Sequence, residues 1–344
     1  MGFNILVFAC VLSEAQFALE LGQATEGLEY LRQALAMSRR IEGQFFPLWT
    51  RPTLVKLFST ALRHDIEVEH VQCMIRRLNI IPEVPPVEVE HWPWAVKIYT
   101  LDRFTVLLRD GQPLSFSGNG VGKTQKRPLE LLKALIAHGG REVGVQTLID
   151  TLWGEADGDA GQGSFNSALH RLRKLLGEER ALVFQDGRLT LSAHYVWVDA
   201  WAFNRTLGSI DGAIQAEDNA HLEDLTNKIF GLYRAPFLGD IDMPWALPMR
   251  ERLCSRFLQH ILHVGDHYEH DQRWRDAVRL YERALEINPL AEDLYRRLMT
   301  ACLHLDRRAD ALRVYQRCEQ TLSTSFGVPP SREIRLLHDS LGME

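Results

Sequence analysis

The nine residues Pro82-Glu83-Val84-Pro85-Pro86-Val87-Glu88-Val89-Glu90 carry three prolines and three acids, and they divide the chain into parts with different periodicities. Proline removes backbone donors and stiffens the chain, so residues 82–94 read as a Pro/Glu linker. Before it, the apolar spacing is helical. After it, 96–101 and 104–108 alternate with period two, and Asp110-Gly111 is a hairpin turn before a third strand at 114–116. Helical spacing then returns in 128–137, 145–153 and 164–176. A further hairpin follows, with 181–185 and 188–192 flanking Asp186-Gly187, and 195–198 adds a strand. From Trp201 onward the chain is helical again. No single-period fold accommodates these switches, and 344 residues suggest two or three domains.

The stretch 164–176, SFNSALHRLRKLL, concentrates the chemistry. Phe165, Ala168, Leu169, Leu172, Leu175 and Leu176 fall at steps of three and four and form one stripe for a core. Ser167, His170, Arg171 and Lys174 point the other way, with Asn166 and Arg173 on the flanks and no acid in the segment. Gly177 supplies a C-cap, and 155–163, with its glycines and acids, reads as the preceding loop. Cations beside Asn, Ser and His suit phosphates and base edges. By itself such a face is more often ordinary solvated surface; its neighbours change that balance. Strands, helix, helix, helix, hairpin is the order of a winged helix-turn-helix, in which the third helix enters the major groove and the hairpin forms a wing. The net charge of −6 argues against a uniformly basic nucleic-acid binder, yet charge is locally positive. Lys123, Lys126, Arg127 and Lys133 outweigh Glu130, and Arg171, Arg173 and Lys174 stand unopposed.

The flanking parts carry a different signal. Gly265, Tyr268, Ala277, Tyr281, Ala284 and Pro289 have the mutual spacing of one tetratricopeptide repeat. Thirty-four positions on, Ala311 and Tyr315 recur in phase, with Cys302 and Cys318 in place of Tyr268 and Ala284. Small residues there let paired helices approach closely. GVPPSRE at 327–333 breaks the last long helix. In the first 81 residues, Ala15, Ala18, Gly27, Leu31 and Ala34 weakly repeat the pattern, and 53–64 and 68–78 read as two amphipathic helices. The apolar run 3–12 is too short to span a bilayer and lacks a preceding positive region or cleavage site, so it reads as a buried helix. A chain starting inside a helical pattern looks like part of something longer.

Residues 96–342 resemble the bacterial regulators that join an OmpR-type winged helix, without a receiver domain, to a bacterial transcriptional activation domain, as in the antibiotic regulatory proteins of streptomycetes. The resemblance rests on LHRLRKLLG (169–177), VDAWAFNRTL (198–207), YRAPFLGD (233–240) and DAVRLYERALEINPLAEDLYRRLM running to GVPPSRE. The first 80 residues look like the last helical repeats of MalT-like regulators. The resemblance implies a mainly α fold: a tetratricopeptide-like segment at 1–81, the linker 82–94, a winged-helix DNA-binding domain at 95–204 and an activation domain with repeats at 205–344. It assigns DNA recognition to Asn166, Ser167, His170, Arg171, Arg173 and Lys174, the wing to Arg188, and phosphate contact to Lys126 and Arg127. Double-stranded DNA is the implied partner. The helical repeats would meet RNA polymerase or another regulator, and a homodimer on two-fold or tandem sites is allowed. No cofactor, catalytic group, metal or membrane is called for. A scaffold whose winged domain binds protein instead of DNA is the alternative.

Three other features point elsewhere. Ser117-Gly118-Asn119-Gly120-Val121-Gly122-Lys123-Thr124 nearly spells a phosphate-binding P-loop, but Ser117 replaces its first glycine and the surroundings are hairpins without a crossover parallel sheet. A glycine loop with a lysine for DNA phosphate is the simpler reading, and the NTPase is the weaker alternative. His260, His263, His267 and His270 line one helix face at spacings that could hold zinc or nickel. With no cysteine in phase, they read as the polar face of a repeat. Five scattered cysteines without a C-x-x-C pair suit reduced thiols in a cytoplasm.

Overall fold

The computed structural model describes residues 2–40, 49–114, 126–155 and 158–342. The chain divides into two compact units, Met1–Tyr99 with Thr105–Ala202, and Thr100–Phe104 with Phe203–Glu344. The P-loop-like stretch 117–124 lies outside the described residues.

The first unit opens with a helical hairpin, α1 (Gly2–Glu20) and α2 (Ala24–Arg40). Its small residues Ala15, Ala18, Gly27 and Ala34 are all buried, as the repeat-like spacing requires. The apolar start of α1 is not buried all round, contrary to the expectation from hydropathy. Phe8 and Leu12 are buried, whereas Leu6 is 67% exposed, because the run is apolar on several faces and the described residues do not cover all of them. Thr50 caps α3 (Arg51–Arg63), its hydroxyl accepting from the Thr53 amide, and α4 (Val68–Arg77) follows.

The Pro/Glu segment is packed. Val89, Trp92 and Trp94 are buried; the Trp94 indole donates to the Val89 carbonyl at 3.0 Å and the Trp197 indole to the Val87 carbonyl at 2.8 Å. Strands β1 (Val96–Tyr99) and β2 (Thr105–Leu108) pair antiparallel, with Val96 opposite Leu108. Of the expected third strand, the described part is a bridge between Pro113 and Leu107 and a bond from the Leu114 amide to the Val106 carbonyl. Then come α5 (Lys126–Ala137), the two-residue β3 (Val143–Gly144), α6 (Val145–Trp153), α7 (Gly158–Leu176), β4 (Leu182–Gln185), β5 (Arg188–Leu191) and β6 (Val196–Val198). β6 lies parallel to β1, making one sheet of order β2-β1-β6; the second has order β3-β5-β4. Asp186 (φ 50°) and Gly187 (φ 69°) both take left-handed backbone, so β4 and β5 close through the turn that Asp-Gly favours. Three helices packed on each other and on a β-hairpin constitute a winged helix-turn-helix.

From α8 (Asp199–Gln215) the chain passes into the second unit, through α9 (Asn219–Leu232), α10 (Leu247–His270), α11 (Trp274–Ile287), α12 (Glu292–His304), α13 (Arg308–Phe326) and α14 (Arg332–Gly342). The YRAPFLGD segment has a structural use. The amides of Arg234 and Ala235 bond the Leu101 carbonyl, and the Leu238 amide bonds that of Thr100. Arg250 closes the loop by donating to the carbonyls of Phe237, Leu238 and Ile241 at 2.6–2.9 Å. The repeat positions Ala277, Ala284, Cys302, Ala311 and Cys318 are buried between paired helices, and Gly327 (φ 67°) ends α13.

The cysteines follow from this packing. Cys10 and Cys73 are exposed, while Cys302 and Cys318 are buried, and burial pushes the Cys318 thiol up to about 12. Alkylation of native protein at pH 8 is therefore expected to modify Cys10 and Cys73 and to spare Cys302 and Cys318 until the second unit unfolds; mass mapping of the modified peptides checks this.

Candidate nucleic-acid interface

α7 is six residues longer than its apolar period indicates, running back to Gly158 through the segment read as loop. The glycines that favour a loop are tolerated because of packing. At buried Gly161, an added Cβ would stand 2.9 Å from Cγ2 of Ile149 on α6, so the two helices approach closely where no side chain intervenes.

The stripe divides α7 as its spacing predicts. Phe165, Ala168, Leu169, Leu172 and Leu176 are buried and Leu175 is half-buried. Asn166, Ser167, His170, Arg171 and Lys174 are exposed together on the opposite face. Among the described residues, Ser167, His170, Arg171 and Lys174 have no hydrogen-bond or ion-pair partner, so their donors are open to solvent. Gly177 (φ 66°) ends the helix, its amide bonding the Arg173 carbonyl.

The remaining cations are engaged to differing degrees. Arg173 is half-buried, and its Nη2 donates to the Leu182 carbonyl at 3.2 Å, tying α7 to the first wing strand. Arg188 sits at the wing and donates through Nη1 to the Glu142 carbonyl at 3.1 Å. At the start of α5, Arg127 bonds Glu130 at 2.9 Å, and Lys126 approaches the same carboxylate at 3.9 Å. Those two side chains remain largely exposed, but their charge is partly spent on Glu130. Glu178, just past α7, takes Arg180 at 2.8 Å and Arg109 at 3.1 Å. The Arg180 hydrogen bond first, then both guanidinium charges, hold its carboxyl below the usual range. Among the cations of α7, Arg171 and Lys174 are the two with no partner among the described residues.

Sequence reasoning missed Gln162. Once α7 begins at Gly158, Gln162, Asn166, His170 and Lys174 form one row at four-residue steps, and the Gln162 Nε2 donates to Asn166 Oδ1 at 3.3 Å. The four-residue spacing was visible in the sequence, but the glycines on either side of Gln162 masked the helix.

The histidine row of α10 does not converge. His260 bonds the Arg256 carbonyl at 2.9 Å, His263 stands 3.5 Å from Asp211, and His267 bonds Asn219 at 3.0 Å. Among the described residues no group of His, Cys, Asp and Glu is arranged to hold a metal, and no helix is long and apolar enough to cross a membrane.

Comparisons with known proteins agree with this architecture. Residues 198–341 match the family described as the bacterial transcriptional activator domain. The regulatory protein AfsR of Streptomyces griseus is 30% identical over 249 residues, covering 70% of this chain and 24% of that protein. The transcriptional regulatory protein EmbR of Mycobacterium bovis is 25% identical over 239 residues, covering 66% of this chain and 60% of that protein. The chain therefore spans about a quarter of one relative and three fifths of the other. Among solved structures, Mycobacterium tuberculosis EmbR in complex with a low-affinity phosphopeptide is similar in fold, with TM-score 0.52 and 22% identity over 72% of this chain and 65% of that one.

Proposed function

From residues 198–341, which match the bacterial transcriptional activator domain, and a winged helix that precedes them, we propose that this chain is a sequence-specific DNA-binding transcription regulator. α7 enters the major groove, and the helical repeats of the second unit receive a signal or touch partners such as RNA polymerase. The observation that carries this reading is the exposed face of α7. Amide, hydroxyl, imidazole and two cations without a partner among the described residues lie together there, on a helix whose other face is locked into the core. The names of the AfsR and EmbR relatives, both regulators, support the same direction.

Within this reading the site residues take different tasks. Arg171 and Lys174 grip phosphates; Asn166, Ser167 and His170 face base edges; Arg173 mainly fixes the wing against α7. Arg127, Lys126 and Arg188 are auxiliary phosphate contacts reached by exchanging their present partners. The protein functions without an enzymatic step, in the cytoplasm, and a homodimer would suit two-fold or tandem operators.

Salt titration tests the proposal. A protein neutralising several phosphates weakens linearly in log Kd against log salt, by about 0.9 per phosphate. Fluorescence anisotropy with genomic duplex fragments is expected to show a steep slope and a preferred fragment. Failure of any duplex to bind at low salt would leave the protein-binding scaffold as the surviving reading.

A further inference from the structure

The proposed DNA contact surface has an internal division that neither charge nor family resemblance indicates. Its cations, Arg171 and Lys174, occupy the second half of α7, while its first half presents two amides, Gln162 and Asn166, one helical turn apart and both exposed. They are joined by a hydrogen bond from Gln162 Nε2 to Asn166 Oδ1 at 3.3 Å. Neither side chain has another partner among the described residues.

A free asparagine amide can turn end for end, which makes it an indifferent reader of base edges. The bond from Gln162 restrains that motion, and in the arrangement seen Oδ1 is the end turned to Gln162. One lone pair of Oδ1 is used, and a second lone pair and both Nδ2 protons remain available. The major-groove edge of adenine offers one acceptor, N7, beside one donor, the N6 amino group. An asparagine amide meets both at once. Guanine presents two acceptors and would face Oδ1 with O6. Cytosine offers only its amino donor, and thymine offers an acceptor and a methyl group.

Resting on the DNA-binding reading above, we infer that Asn166 reads an adenine in the major groove by a bidentate contact and that Gln162 is its positioning residue. The pair holds the Asn166 amide on the exposed face before DNA arrives. The cations half a helix away then supply affinity without choosing the base.

Selection of bound duplexes from a randomised library, using the full chain, tests this. The unaltered protein is expected to enrich one adenine position that Asn166→Ala no longer enriches, a loss of roughly tenfold in discrimination for a bidentate pair. Affinity of Asn166→Ala for mixed-sequence DNA should stay within about twofold, since no phosphate contact is removed. Asn166→Asp, which keeps only acceptors, should move the preference toward cytosine. Gln162→Ala should relax the same position in part and no other. Replacing that adenine by 7-deaza-adenine, which lacks the N7 acceptor, should weaken the unaltered protein and leave Asn166→Ala unchanged; this arm holds the protein fold constant.

An adenine preference that survives Asn166→Ala, or an equal 7-deaza penalty in both proteins, overturns the inference. Duplex binding with no enriched adenine also overturns it, while leaving the DNA-binding reading in place. Absence of all duplex binding removes both.

Discussion

Replacing Arg171 and Lys174 together by alanine is expected to weaken duplex binding by at least about a hundredfold near physiological salt and to flatten the salt dependence by about two in log–log slope. Both side chains are exposed and without partners among the described residues, so the double variant should keep its unfolding midpoint. This separates them from Arg173. Arg173→Ala removes the bond to the Leu182 carbonyl and loosens the wing, so lost DNA binding there would mix affinity with structure. Anisotropy titrations across a salt series, with circular dichroism as the fold control, distinguish the two cases. An unchanged slope in the double variant would mean that α7 does not meet phosphate.

Gly265→Ala should be the most damaging single-atom change in the second unit. A Cβ at Gly265 would lie 2.0 Å from the Tyr281 hydroxyl oxygen and 2.6 Å from its Cζ. The ring cannot simply withdraw. Tyr281 is fully buried, and its hydroxyl donates to Glu269 at 2.6 Å, a carboxylate that also takes Arg297 at 2.9 Å. The helix-propensity gain of Gly to Ala, about 1 kcal/mol, is outweighed by overpacking and a displaced hydrogen bond. A net loss of about 3 kcal/mol is expected in urea unfolding. Gly265→Ala/Tyr281→Phe should recover only part of it, because the Cζ contact remains. Wild-type stability in Gly265→Ala would show that α10 and α11 are not held at this separation.

These residues also show what the sequence could and could not reveal. Gly265 and Tyr281 were legible as a pair because the repeat spacing encodes the close approach of two adjacent helices. Asp186-Gly187 was legible because both positions need left-handed backbone, and few other dipeptides supply it cheaply. The start of α7 was not. Local propensity at Gly158, Gly161 and Gly163 argues for a loop, whereas the contact that tolerates Gly161 is with Ile149 on another helix. β3 was hidden for a related reason: two residues, Val143 and Gly144, carry no period, and only their pairing with β5 makes them a strand. The role of YRAPFLGD depends on the carbonyls of Thr100 and Leu101, more than a hundred residues earlier, which no local pattern reports.

At the proposed interface, chemistry was more legible than engagement. The face of α7 followed from periodicity alone. That Arg171 stays open while Arg173 reaches a wing carbonyl is a matter of angle on the helix. The excess of cations at the start of α5 was legible as a sum, but not that Arg127 and Lys126 both lean on Glu130, the one acid already counted against them.

Cleavage of DNA from a tethered iron chelate addresses the central claim most directly. With Cys10 and Cys73 replaced by serine, a chelate carried on Ser167→Cys should cut bound duplex within the major groove at the centre of the protected site. The same chelate on Arg279→Cys, exposed on α11 of the second unit, should not share that pattern. Bound duplex left uncut by the reagent on residue 167 would contradict the placement of α7 in the groove.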